Sequence, residues 1–250
     1  MTSPIPFAAL LAAALLAVAH LITPSLRFLG GIPRSVWLSI AGGVSVAYVF
    51  MHLLPELAEG QARIKESLQD AVSGSGNLAS FVVASVERHV YLVALAGLAV
   101  FYGLDKLAKS AHGRSSPGAV FWVHMAAFSL YNALIGYLLL NRPEADTTAL
   151  ASYTIAMALH FIVTDFALVE AHAHRYCAVG RWLLVLALGA GVTLGAFTTV
   201  SPAATAIFVA FLAGGVILNV LKEEVPSERQ ARFLAFVGGM AAFAVLLITS

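Results

Sequence analysis

The chain has 250 residues; 60% are Ala, Val, Ile, Leu, Met, Phe, Trp, Tyr or Cys, and 11% are charged. A soluble domain averages about 45–50% apolar and about 25% charged residues, so a soluble globular protein, a disordered chain and a coiled coil are excluded. The 14 Lys and Arg against 13 Asp and Glu give a formal net charge of +1, with no basic excess for nucleic acid. Cys177 is the only cysteine, which excludes a disulfide framework and a multi-thiolate metal site.

A membrane crossing needs roughly 20 mostly apolar residues. In chain order, eight stretches qualify: Pro4–Thr23, Trp37–Leu57, Leu78–Leu107, Ala119–Leu140, Ala149–Ala171, Trp182–Val200, Ala203–Leu221 and Ala231–Ile248. Lipid offers no partner to unpaired backbone groups, so such runs are expected to be helices. The expected fold is therefore all-α: one transmembrane domain over residues 1–250. No Lys or Arg precedes the first run, which reads as a span rather than a signal peptide. Gln61–Ala71 reads as a short polar helix or loop, and Ser73–Asn77 as a hinge. Glu87, Arg88 and His89 are expected at an outer mouth.

Orientation follows from Lys and Arg. Alternate connections hold Arg27, Arg34, Lys106, Lys109, Arg114, Arg175, Arg181, Lys222, Arg229 and Arg232, whereas the others hold Arg63, Lys65, Arg88 and Arg142. The ten-residue set is expected in the cytoplasm. The protein is then a multi-pass cell-membrane protein with both termini outside.

Ala41-Gly42-Gly43-Val44 in the second span is followed by Pro55-Glu56. Ala213-Gly214-Gly215-Val216 in the seventh is followed by Pro226 and Glu228. Similar sequence in oppositely directed spans marks an inverted repeat, here spans one to three and six to eight around spans four and five. Small-residue runs are also frequent at helix contacts in membranes, and that explanation stays open.

Ionisable groups within spans need a reason. His160 falls near the middle of the fifth span, Asn132 in the middle or outer half of the fourth, and His124 and Asp165 nearer the cytoplasmic edge. His20 and Glu170 lie close to that edge, and His20 reads chiefly as a structural histidine. His52 and Glu56 share a face near the outer end of the second span. His172 and His174 end a helix, where the dipole favours cations. His160 and Asp165 are five residues apart, about 140° around an ideal helix, so a straight helix does not bring both to one ion. Imidazole with carboxylate suits zinc, iron or manganese.

These residues resemble the ZIP family of divalent-metal transporters. The resemblance covers roughly Trp37 to the C-terminus. It is carried by Ala41-Gly42-Gly43-Val44 through His52-Leu53-Leu54-Pro55-Glu56, by Gly103-Leu104-Asp105-Lys106-Leu107 and by Glu224-Val225-Pro226. Where the family's fourth span has His-Asn-x-x-Asp-Gly, this chain has Tyr131-Asn132-Ala133-Leu134-Ile135-Gly136. Where the fifth has His-Glu-x-Pro-His-Glu, it has His160-Phe161-Ile162-Val163-Thr164-Asp165. A register matching Asp165-Phe166-Ala167-Leu168 to the family's following Asp-Phe-Ala string displaces His160 and stays open.

The resemblance implies inward transport of a divalent cation (zinc, iron or manganese) as substrate, with no resident cofactor and no enzymatic activity. The metal-contacting candidates are Asn132, His160, Asp165, His124, His52 and Glu56. The expected partners are the ion and the lipid bilayer, with no nucleic acid; a homodimer stays open. Two other classes remain: a ZIP-fold protein without metal transport, acting as sensor, scaffold or other-solute carrier, and an intramembrane zinc hydrolase. The last needs three convergent ligands, and no His-x-x-x-His pair occurs.

Overall fold

The computed structural model describes residues 4–30, 35–72, 90–110, 117–141, 147–224 and 232–249. The described residues are helical throughout apart from short connections. The helices are α1 (Pro4–Ile22), α2 (Val36–Tyr48), α3 (Leu54–Val72), α4 (Val90–Ser110), α5 (Pro117–Leu140), α6 (Thr147–Arg175), α7 (Arg181–Phe197), α8 (Pro202–Asn219) and α9 (Phe233–Thr249). Among the described residues, five segments are long and apolar enough to cross a membrane: Phe7–Ser25, Val36–Ala62, Val120–Leu140, Thr147–Phe197 and Ala203–Lys222. Phe233–Thr249 is a shorter apolar helix. The described residues are those of a helical, membrane-embedded protein.

Local chemistry explains the helix ends. The Leu38 and Ala204 amides donate to the Ser35 and Ser201 side chains at 3.1 and 3.2 Å, so serine caps open α2 and α8. Several buried Ser and Thr hydroxyls are satisfied by the backbone of the preceding turn. Thr23, Ser45 and Thr154 each donate to the carbonyl four residues back, as an interior without water requires.

Among the described residues, three π-helical segments interrupt the α-helices: Val49–Leu53, Tyr176–Gly180 and Val220–Glu224. The first joins α2 to α3 without a loop, so Gln61–Ala71 is the continuation of a helix. The second lies between α6 and α7. His172 just before it leaves helical geometry, at φ −140° and ψ 33°. The expected hinge at Ser73–Asn77, the expected outer mouth at Glu87–His89 and the beginning of the expected third span lie outside the described residues.

Glycines set the closest helix contacts. Gly43 of α2 abuts the Phe236 carbonyl of α9, and Gly239 of α9 abuts Ile40 of α2. Gly97 of α4 faces Phe211 of α8, and Gly214 of α8 faces Ala94 of α4. In the third pair Gly136 of α5 meets Leu188 of α7, while Gly191 and Gly195 of α7 meet Ala133 and Tyr137 of α5. Lipid exerts no hydrophobic drive between helices, so this close backbone approach is the packing force available. The order Ala133–Gly191, Tyr137–Gly195 makes α5 and α7 run in the same direction.

The exterior is apolar. Phe7, Leu186, Phe197 and Leu234 are more than two-thirds exposed, as lipid-facing positions are. Trp37, Trp122 and Trp182 are also exposed, each near the start of its helix, in α2, α5 and α7.

Candidate functional site

A polar trio lies at the centre of the helix bundle. His20 near the end of α1, Asn132 of α5 and Asp165 of α6 are 1%, 1% and 0% exposed. His20 Nδ1 lies 2.7 Å from Asp165 Oδ2, and His20 Nε2 lies 2.8 Å from Asn132 Oδ1. Three helices thus meet through one imidazole. The His20 ring stacks on Phe161, with centroids 4.4 Å apart.

The hydrogen bonds set the protonation pattern. Asn132 Nδ2 donates to the Phe128 carbonyl at 2.8 Å, so the amide oxygen is the atom that faces His20. An oxygen accepts, hence His20 Nε2 carries a hydrogen. One further proton lies between Nδ1 and Asp165 Oδ2. Whichever atom holds it, the pair has no net charge. That lowers the cost of keeping a carboxylate and an imidazole inside a membrane helix bundle.

The second carboxylate oxygen is different. Asp165 Oδ1 is buried and accepts no hydrogen bond of ordinary geometry among the described residues. The Tyr176 hydroxyl, also buried, lies beside this carboxylate.

His160 is buried as well, but outside the trio. Its ring lies 5.8 Å from that of Tyr131 and 6.4 Å from that of Phe161. Thr164 donates to the His160 and Phe161 carbonyls at 3.0 and 3.2 Å, turning its hydroxyl back onto its own helix.

A cavity of about 390 Å³ adjoins this centre through Thr164. Its polar wall comprises Asp105, His124, Thr164, Glu170, Asn219 and Lys222; Phe101 and Leu168 are among its apolar residues. Lys222 Nζ donates to Asp105 Oδ1 at 2.8 Å. His124 Nδ1 is 3.0 Å from His172 Nε2, and its other nitrogen is 3.8 Å from Asp105 Oδ1. His172, His124, Asp105 and Lys222 therefore form a chain across α4, α5, α6 and the Val220–Glu224 turn.

His52 and Glu56 belong to a different region. His52 is half-buried in the Val49–Leu53 turn, its ring 5.2 Å from that of Tyr48. Glu56 is 6% exposed. It lines a small cleft with Tyr48, Leu53, Leu138 and Tyr153, so its carboxyl faces the bundle and not open solvent.

Of the six candidates, the structure joins Asn132 to Asp165 through His20, places His160 beside them against aromatic rings, and puts His124 in the adjoining cavity. Sequence reasoning passed over His20, Asp105, Tyr176 and Lys222 as partners in these clusters. The available signal for His20 was an imidazole inside an apolar run, the same signal that selected His160. Among the described residues, no three His, Cys, Asp or Glu side chains are grouped to hold one metal ion; the trio contains two of these types and an amide.

Comparison with models of known families, with curated proteins and with solved structures gives no match.

Proposed function

We propose that this chain is a divergent ZIP-like secondary transporter that moves a divalent metal cation across the cell membrane toward the cytoplasm. One observation carries the reading. Asn132 and Asp165, the two positions at which oxygen ligands of the family's central motifs remain, meet at one buried imidazole in the bundle interior. The adjoining cavity, with Asp105, His124 and Glu170 on its wall, supplies the inner half of a path. Glu56 and His52 supply the outer end.

The proposed architecture has eight crossings, with both termini outside. Thr147–Phe197 counts twice, because α5 and α7 run the same way and α6 must return between them. Helices α4 and α9 complete the eight. Trp37, Trp122 and Trp182 then form an aromatic belt at the cytoplasmic interface, where tryptophan is favoured.

Two features support the inverted repeat. The π-helical turns at Val49–Leu53 and Val220–Glu224 follow Ala41 and Ala213 at nearly equal distances. The glycine pairing also has the symmetry. Exchanging span two with seven and three with eight turns the α2–α9 contact into the α8–α4 contact, and both pairs occur. Such repeats underlie transporters that expose a midplane site to each side in turn.

A second reading has its own observation. Both His20 nitrogens are engaged within the trio, so the centre closes on itself, as suits a ZIP-fold protein that transports no metal. Equilibrium dialysis of the purified protein against Mn²⁺ and Zn²⁺, with uptake into proteoliposomes, separates the two. The transport reading predicts bound ion and protein-dependent uptake. Absence of both overturns it in favour of the second reading.

A further inference from the structure

We propose that the cavity of about 390 Å³ is a binding site for a small amphipathic organic amine, in which Glu170 pairs with the ammonium group and Asn219 bonds a hydroxyl beside it. The proposal goes beyond the transport reading and stands independently of it.

The cavity lies at the end of the bundle where α4, α6 and α8 finish and α5 begins. Its volume falls within the range of roughly 300–1,000 Å³ typical of small-molecule sites. Phe101, Thr164 and Asn219 are buried and form its inner part, whereas Glu170 and Lys222 are exposed at its rim. An entering molecule meets charge first and an aromatic wall last.

Charge selects the ligand. Lys222 is held by Asp105 at 2.8 Å, so these two cancel. Glu170 makes no ion pair or hydrogen bond among the described residues. With His124 neutral, the wall therefore carries one carboxylate in excess, which favours a cation. The remaining surface is apolar, with Phe101, Phe128, Leu168 and Leu218. A metal ion gains nothing from such a wall, whereas the ring of an organic cation packs against the two phenylalanines.

The second observation is Asn219. It is 7% exposed, and its amide nitrogen is buried without an acceptor among the described residues. Buried polar atoms without partners are rare in native structures and need an explanation. A half-turn of the carboxamide exchanges its nitrogen and oxygen. A hydroxyl both donates and accepts, so a ligand hydroxyl satisfies whichever end faces it.

The probe is phenylethanolamine, which carries a ring, a hydroxyl and an ammonium group. Calorimetric titration of the purified full-length protein in detergent is made at about pH 8, above the ordinary titration of histidine. Wild type should bind the probe saturably, and mandelate, with the same ring and hydroxyl but a carboxylate, should not bind. Phenethylamine, which lacks the hydroxyl, should bind about fivefold more weakly, the worth of one neutral hydrogen bond. Glu170→Gln should weaken phenylethanolamine at least about tenfold, as loss of a hydrogen bond to a charged group does. Asn219→Leu should remove the difference between the two amines; if that variant does not fold, their difference on wild type decides. Glu170 is exposed, so its replacement does not put folding at stake. Absence of saturable binding, binding of mandelate as tight as that of the amine, or unchanged affinity in Glu170→Gln overturns the site. Equal affinity of the two amines for wild type, or a difference that persists in folded Asn219→Leu, overturns the role of Asn219.

Discussion

Asp165 carries the largest energetic demand of any single residue at the centre. A charged Asp at the middle of a membrane helix costs roughly 2.5–3.5 kcal/mol on insertion scales, and His20 offsets this by making the pair neutral overall. Asn132 fixes the other side of the ring. Asn132→Ala should leave the His20 Nε2 hydrogen without its acceptor and lower stability by about 1–3 kcal/mol, read as a fall in Tm of the purified protein. An unchanged Tm would mean that the amide does not hold the imidazole. On the proposed transport reading, Glu56 stands at the outer end of the path. Glu56→Gln should lower the apparent affinity for the cation and leave turnover nearly unchanged; an ordinary affinity in vesicle assays would make Glu56 a structural group of its cleft. Asp165 and Asn132 were legible in the sequence because polar groups deep in apolar runs declare their own cost. The role of His20 was not, because its partners lie 112 and 145 residues away and no local pattern encodes them.

Helices here are held together by glycine. A Cβ at Gly191 would overlap the Ala133 carbonyl of the neighbouring helix, whereas one at Gly189, two residues earlier in α7, meets nothing within 4 Å. Gly191→Ala should therefore separate α5 from α7 and destabilise by about 1–3 kcal/mol. Gly189→Ala should stabilise by roughly 0.5–1 kcal/mol, since alanine loses less backbone freedom in a helix. Thermal unfolding of the two variants in detergent compares them directly, and equal behaviour would remove the close-packing account. The helices were legible as apolar runs, and the Ala-Gly-Gly-Val strings marked two of the contacts. The π-helical turns were not legible. They change the hydrogen-bond step and leave the composition unchanged, and in helices apolar on most sides no stripe shifts to reveal them. The break at His172 was hidden for the same reason, although Arg175 and Arg181 did locate the end of the fifth span.

At the scale of the whole molecule, the proposed transport reading takes the polar centre, the adjoining cavity and the paired helices as parts of one path. Its topology is open to a direct check: a reporter fused after Ser250 should be found outside the cytoplasm, and a cytoplasmic reporter would reverse the assigned direction of every span. The apolar exterior follows from the composition, 60% apolar, and the helical class from the length of the apolar runs, because lipid leaves no partner for unpaired backbone groups. The arrangement of spans around the centre needed the structure, since partner choice depends on which glycine meets which backbone. The most direct test of the central claim is cation uptake into proteoliposomes carrying wild type, Asp165→Asn or Asp165→Glu, with Mn²⁺ outside and an indicator within. The account predicts protein-dependent uptake by wild type, none by Asp165→Asn and a partial rate for Asp165→Glu. Uptake by Asp165→Asn at the wild-type rate would contradict it.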